Sequence, residues 1–165
     1  MSAESKSAEK QIFVLRGPGS CGKSSTLAEV FNILNEKYPI GRRKIILPER
    51  DRDTTDGKIE IKFKIDYYTR DIRVTIEIGG NSIGIESCGD PSGIHRLRVG
   101  LEYFKTVNCN IIFCSARPND NDTHDLINSY SKNVKFIEKT KEYNKQLHSK
   151  SNLEVAEQLI KLAGL

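Results

Sequence analysis

With 165 residues, 37% of them hydrophobic, the chain is long enough to bury the core of one domain and too polar to cross a membrane. No apolar run approaches the roughly 18 residues of a spanning helix. Its 26 basic and 22 acidic residues leave a net charge of +4, mild and scattered, with no basic and aromatic stripe to argue for nucleic acid. The polar start, residues 1–10, lacks the apolar segment of a secretory signal, so it is expected to be a disordered lead into a single cytoplasmic domain at 11–165.

The elements follow from periodicity. Residues 12–16 form a continuous apolar run, the pattern of a strand buried on both faces. Leu27, Val30, Phe31 and Leu34 then share one face of a helix over 23–37, which Pro39 and Gly41 end. A short strand is expected at 44–47, stopped by Pro48. Residues 48–57 are charged and turn-rich. Strict alternation over 58–67, with Ile59, Ile61, Phe63 and Ile65 on one side, predicts a half-exposed antiparallel strand. Residues 73–78 alternate too, and Gly79-Gly80-Asn81 predicts a hairpin into a strand at 82–87.

Beyond the hairpin, Ile94, Leu97, Leu101, Phe104 and Val107 fit a helix that Ser92 caps. Residues 110–115 read as another buried strand, and Asp122-Thr123 opens a short helix to about Tyr130. A strand at 134–138 follows. Ser151 and Glu154 match a capping box, which predicts a final helix with Leu153, Ala156, Leu159, Ile160 and Ala163 toward the core. There is no internal repeat. The fold class expected is α/β, a three-layer α/β/α domain with a mainly parallel sheet and an antiparallel hairpin or meander extension.

Four cysteines, Cys21, Cys88, Cys109 and Cys114, form no Cys-x-x-Cys pair and are expected to be reduced thiols, not zinc ligands. Cys109 and Cys114 are expected on one strand, facing opposite sides.

The chemistry concentrates in Gly17-Pro18-Gly19-Ser20-Cys21-Gly22-Lys23-Ser24-Ser25, set between the first strand and the first helix. Glycines at 17, 19 and 22 let main-chain N–H groups converge on an anion where a Cβ would collide. The helix start adds unpaired donors and a partial positive charge. Residues 17–24 match G-x-x-x-x-G-K-[ST] and resemble the Walker A loop of the P-loop NTPase superfamily. The resemblance implies that residues 17–25 bind a nucleoside triphosphate, that Lys23 meets its β- and γ-phosphates, and that the Ser24 hydroxyl ligates Mg²⁺.

A magnesium site also needs a carboxylate. Glu86 ends a predicted strand and Asp90 lies in the CGDPSG turn after it; either can serve. Arg117, following the strand at 110–115, either stabilises charge on the transferred group or pairs with a neighbouring acid. Asp120, Asp122 and Thr123 are weaker candidates for a second substrate. Cys21 and Cys88, one in each loop, suggest a redox-sensitive pair.

Three reaction classes fit these residues. One is an ATP-hydrolysing or kinase-like enzyme acting on a small acceptor. Another is a GTPase-like switch, although Glu138-Lys139-Thr140-Lys141 stands where a guanine-reading Asn-Lys-x-Asp is expected, which favours ATP over GTP. The third is a nucleotide-gated module with little turnover, docking a protein partner on its antiparallel edge.

Overall fold

A computed structural model of the protein describes residues 10–19, 21–37, 43–46, 73–78, 80–87 and 94–165. Strand β1 (Gln11–Arg16) leads into α1 (Lys23–Lys37), followed by β2 (Arg43–Ile46), β3 (Arg73–Ile78) and β4 (Asn81–Glu86). Helix α2 (Ile94–Thr106), β5 (Ile111–Ala116), α3 (Asn121–Asn128), β6 (Asn133–Glu138) and α4 (His148–Leu162) complete the described elements.

The strands form one sheet in the order β2-β3-β4-β5-β1-β6. Neighbours from β4 to β6 are parallel, whereas β2-β3 and β3-β4 are antiparallel. The expected α/β class with a mainly parallel sheet and an antiparallel extension is therefore present. Alternation along each buried strand supplies both faces of the sheet. Phe13, Leu15 and Phe113 pack with α1 and α4 on one side, and the Phe13 and Phe113 rings stack at 5.6 Å. Ile12, Val14, Ile112 and Cys114 pack with α2 and α3 on the other.

Register matters most for the site. Arg16 pairs with Ala116 of β5 and with Glu138 of β6. The chain therefore leaves these three parallel strands at one level, and Gly17, Arg117 and Lys139 emerge side by side along one end of the sheet.

Gly84 marks a tight contact in the core. A Cβ there would lie 2.7–2.9 Å from three ring atoms of Phe104, a fully buried side chain. Gly84→Ala is expected to cost about 1–3 kcal/mol through overpacking and to lower the melting temperature by roughly 3–10 °C. A thermal melt checks this.

Several expectations need correction. The last helix begins at His148, not Ser151, after a 3₁₀ turn at Lys145–Leu147 that the Asn144 side chain caps. The Ser-x-x-Glu pattern thus falls inside the helix, where Ser151 bonds a distant lysine. Leu153 is 39% exposed, because the buried stripe runs through Val155, Ala156, Leu159, Ile160 and Ala163. Cys109 precedes β5 and is not part of it, so it shares one core cluster with Cys114 instead of facing away from it. Helix α3 is capped by Asp120 and starts at Asn121, one residue before the expected opening at Asp122. Strands β2, β4 and β5 are each offset by one residue from expectation. The expected lead at 1–9, the helix stop at Pro39 and Gly41, the turn at 48–57, the strand at 58–67 and the Ser92 cap lie outside the described residues.

Candidate phosphate-binding site

The candidate site is built around the connection from β1 to α1. Its first amide, Gly17 N–H, donates to the Ala116 carbonyl at 3.1 Å, tying the loop to β5. On the other flank, Lys139 N–H donates to the Arg16 carbonyl at 2.7 Å. A Cβ on Gly17 would fall 2.3 Å from the Lys139 carbonyl oxygen and 2.7 Å from Cys21 Sγ. The loop therefore curls back on itself against β6, and a side chain at 17 has no room.

The other two glycines meet different walls. A Cβ on Gly19 would stand 3.0 Å from the Arg117 guanidinium. Gly22 has φ +90°, a conformation that disfavours L side chains, and its Cβ would meet Asn152 Oδ1 at 2.6 Å. Asn152, on α4, also accepts from Thr26 Oγ1 at 3.2 Å, while the same hydroxyl reaches the Gly22 carbonyl at 2.7 Å. Thus β6, the residue after β5, and α4 together mould the curl.

Lys23 opens α1 and turns back into the loop. Its Nζ donates to the Gly17 carbonyl at 2.8 Å and the Pro18 carbonyl at 2.7 Å, with a longer contact of 3.9 Å to Cys21 Sγ. The residue is only 8% exposed. No acidic side chain occupies the first turn of α1, so that turn's own side chains add no negative charge to the positive end of the helix. Ser24 and Ser25 sit half-buried in that turn. Ser20 lies outside the described residues.

Arg117 reaches the loop as expected from its position after β5. Its carbonyl accepts from His124 Nε2 at 2.9 Å, and its guanidinium faces Gly19. Asp120 and Thr123 are engaged with each other: Asp120 accepts from the Thr123 amide at 3.2 Å and from its hydroxyl at 2.5 Å. That cap and the complete burial of Thr123 give both a helix-starting role. Asp122 is exposed in the first turn of α3.

Glu86 ends β4, and β5 stands between it and β1, a separation of two strand spacings or about 9.5 Å. It ion-pairs with Arg73 Nε at 2.5 Å, and Arg73 also donates to the Arg96 carbonyl at 2.8 Å. The Glu86 side chain is 2% exposed, and Gly100 lies so close that a Cβ there would be 2.5 Å from its carboxylate. Asp90 and Cys88 lie outside the described residues.

Lys139 is the residue that sequence reasoning undervalued. It is 3% exposed, and its Nζ donates to Ser151 Oγ at 3.3 Å. Burial pushes its pKa down; Cys21 and Glu142 act in the opposite sense, and Lys23 lowers it further. The neighbouring Glu138 is taken up by Arg16, whose Nε donates to it at 2.6 Å. The signal available in the sequence was positional: a residue directly after a strand parallel to β1 stands beside the loop that follows β1.

The lowered pKa has a defined sign. Between it and the ordinary lysine value, the unfolded chain holds more protons than the native one, so stability rises with pH through that window. Urea melts of wild type and Lys139→Met as pH rises toward the ordinary lysine pKa of about 10.4 should show wild type gaining on the variant.

Among the described residues, no three His, Cys, Asp or Glu side chains gather as a metal cage, and no helix is long and apolar enough to cross a membrane. Ser24, half-buried in the first turn of α1, carries a hydroxyl of the kind Mg²⁺ uses, since that ion prefers one or two protein oxygens together with phosphates and waters over an all-protein cage. No family model, curated protein or solved structure matches the chain.

Proposed function

We propose that the protein binds a magnesium nucleoside triphosphate, ATP before GTP, and transfers its terminal phosphoryl group to water or to a small acceptor. The observation that supports this most is the Lys23 ammonium folded onto the Gly17 and Pro18 carbonyls, inside a curl that excludes any side chain at 17. A phosphate entering the curl exchanges those neutral carbonyl acceptors for anionic oxygens, so that both partners of each hydrogen bond are charged.

In this reading the main-chain amides of 17–24 hold the β-phosphate, and Lys23 neutralises charge as it moves to the bridging oxygen. Ser24 and Asp90 would hold the metal, which would offset the charge of the phosphate oxygens. Arg117 faces Gly19, where a guanidinium stabilises an expanding equatorial charge. Almost all of the catalysis is positioning and electrostatics. ATP is preferred because the segment after β6 offers no aspartate to guanine, and Glu138 is occupied by Arg16.

Of the two acids, Asp90 is assigned to the metal, since Glu86 is already engaged by Arg73. Asp90→Asn is expected to lower Mg²⁺-dependent turnover by about tenfold or more with nucleotide affinity little changed. Glu86→Gln is expected to lower thermal stability first. Turnover assays across Mg²⁺ concentration, set beside melts, separate the two; a turnover loss confined to Glu86→Gln reverses the assignment. Phosphate release with and without candidate acceptors tests the reaction class. Transfer marks a kinase, GTP preference a switch, and tight binding without turnover a nucleotide-gated module.

A further inference from the structure

The buried lysine at the end of β6 has more to do than support the fold. Removing an ammonium group from water costs several kcal/mol even after relaxation (an order-of-magnitude figure), and proteins normally offset that with a carboxylate or a full set of acceptors. Lys139 is 3% exposed, yet among the described residues its Nζ has one acceptor, the Ser151 hydroxyl, at a long 3.3 Å. An ammonium has three donors. No carboxylate of the described residues ion-pairs with it; Glu142 acts on it only at longer range. A second lysine, Lys23, is close enough to repel it.

Its placement is equally specific. The Lys139 carbonyl forms the wall against Gly17, and its amide is bonded to Arg16, so its backbone is fixed at the first residue of the curl. Two buried ammonium groups beside a glycine cradle repel each other, and an anion bearing several charges would relieve that repulsion.

We infer that Lys139 is a second phosphate-binding cation, acting with Lys23 on the polyphosphate of the bound nucleotide from the β6 side of the loop. The inference rests on the reading of 17–24 as a polyphosphate site and adds a contact that the loop motif does not contain. Its backbone is level with Gly17, at the phosphate cradle, so the contact is to phosphate and not to base or sugar.

The test is calorimetry on the full chain with Mg·ATP and, separately, with magnesium tripolyphosphate, which has neither base nor ribose. Lys139→Met is expected to weaken both ligands by the same factor, about tenfold or more, and Lys139→Arg by less. Ligand-free Lys139→Met should melt at or above the wild-type temperature, because the buried charge is gone; a merely structural lysine would lower it. The inference is overturned if Lys139→Met binds both ligands as wild type does. It is also overturned if the variant weakens ATP alone, which marks a base or sugar contact. A third contrary result is a Cys21 thiolate absorbance in the free protein that vanishes in Lys139→Met with binding unchanged, which makes Cys21 the counter-ion. If Lys139→Met fails to fold, the side-chain ammonium resonance of Lys139 in wild type decides: tripolyphosphate must shift it, and an unmoved signal overturns the inference. Wild type binding neither ligand is a separate outcome, in which the loop reading itself fails.

Discussion

Lys23→Ala is expected to reduce Mg·ATP affinity by roughly a hundredfold or more, equivalent to about 3 kcal/mol, and to abolish measurable phosphoryl transfer. The ammonium is already inside the loop, bonded to the Gly17 and Pro18 carbonyls, so the ligand meets a charge held in place and not a mobile surface lysine. Removing it takes away the positive charge that the loop itself holds among its main-chain amides. The fold should survive, because the carbonyls that hold the ammonium belong to the loop and not to the core, and each such hydrogen bond is worth about 1.5–3 kcal/mol when one partner is charged. The core clusters on both faces of the sheet are untouched. Binding calorimetry paired with a thermal melt checks both halves: a large loss of affinity with a modest fall in melting temperature.

Gly17→Ala is the second large effect, and its cause is steric. The added methyl would sit 2.3 Å from the Lys139 carbonyl oxygen and 2.7 Å from Cys21 Sγ. The first obstacle is backbone, pinned by the hydrogen bond from Lys139 to Arg16, so it cannot rotate aside as a side-chain tip can. Either β6 shifts away from β1 or the curl opens. The stability cost is expected to be about 1–3 kcal/mol. The functional cost is larger, because the amides and the Lys23 carbonyl partners lose their common focus; a misplacement of about 1 Å in such a site can cost on the order of a hundredfold.

Gly84→Ala provides the control. It clashes with Phe104 across the sheet face that packs against α2, and should destabilise comparably while the folded fraction still binds nucleotide with wild-type affinity. If the two variants lose affinity equally, the loop has no special geometric demand.

What could be read from the chain was local. The apolar run of β1, the glycines with Lys23 and Ser24, and the amphipathic α1 are consecutive, and each is decided by residues within a few positions of itself. Arg117 was placed correctly by the assumption that β5 runs parallel to β1, which the register bears out. What failed was non-local. Ser151 and Glu154 have the pattern of a capping box, but the hydroxyl is needed by Lys139 on another element, and the helix begins at His148. The pairing of Asp120 with Thr123, by contrast, is local: the two stand three residues apart and cap α3. Glu86 was legible as a strand end, but its partner Arg73 and the crowding by Gly100 depend on how β3 and α2 close around it. Lys139 was read as a departure from a guanine motif, since nothing near it in the sequence announces that it is buried beside Gly17.

The most direct measurement is a calorimetric titration of the 165-residue chain with Mg·ATP, repeated on Lys23→Ala. Saturable binding that is lost in the variant, while the variant keeps its cooperative melt, is the predicted result. Folded wild-type protein that gives no binding heat with any magnesium ribonucleoside triphosphate would contradict the account.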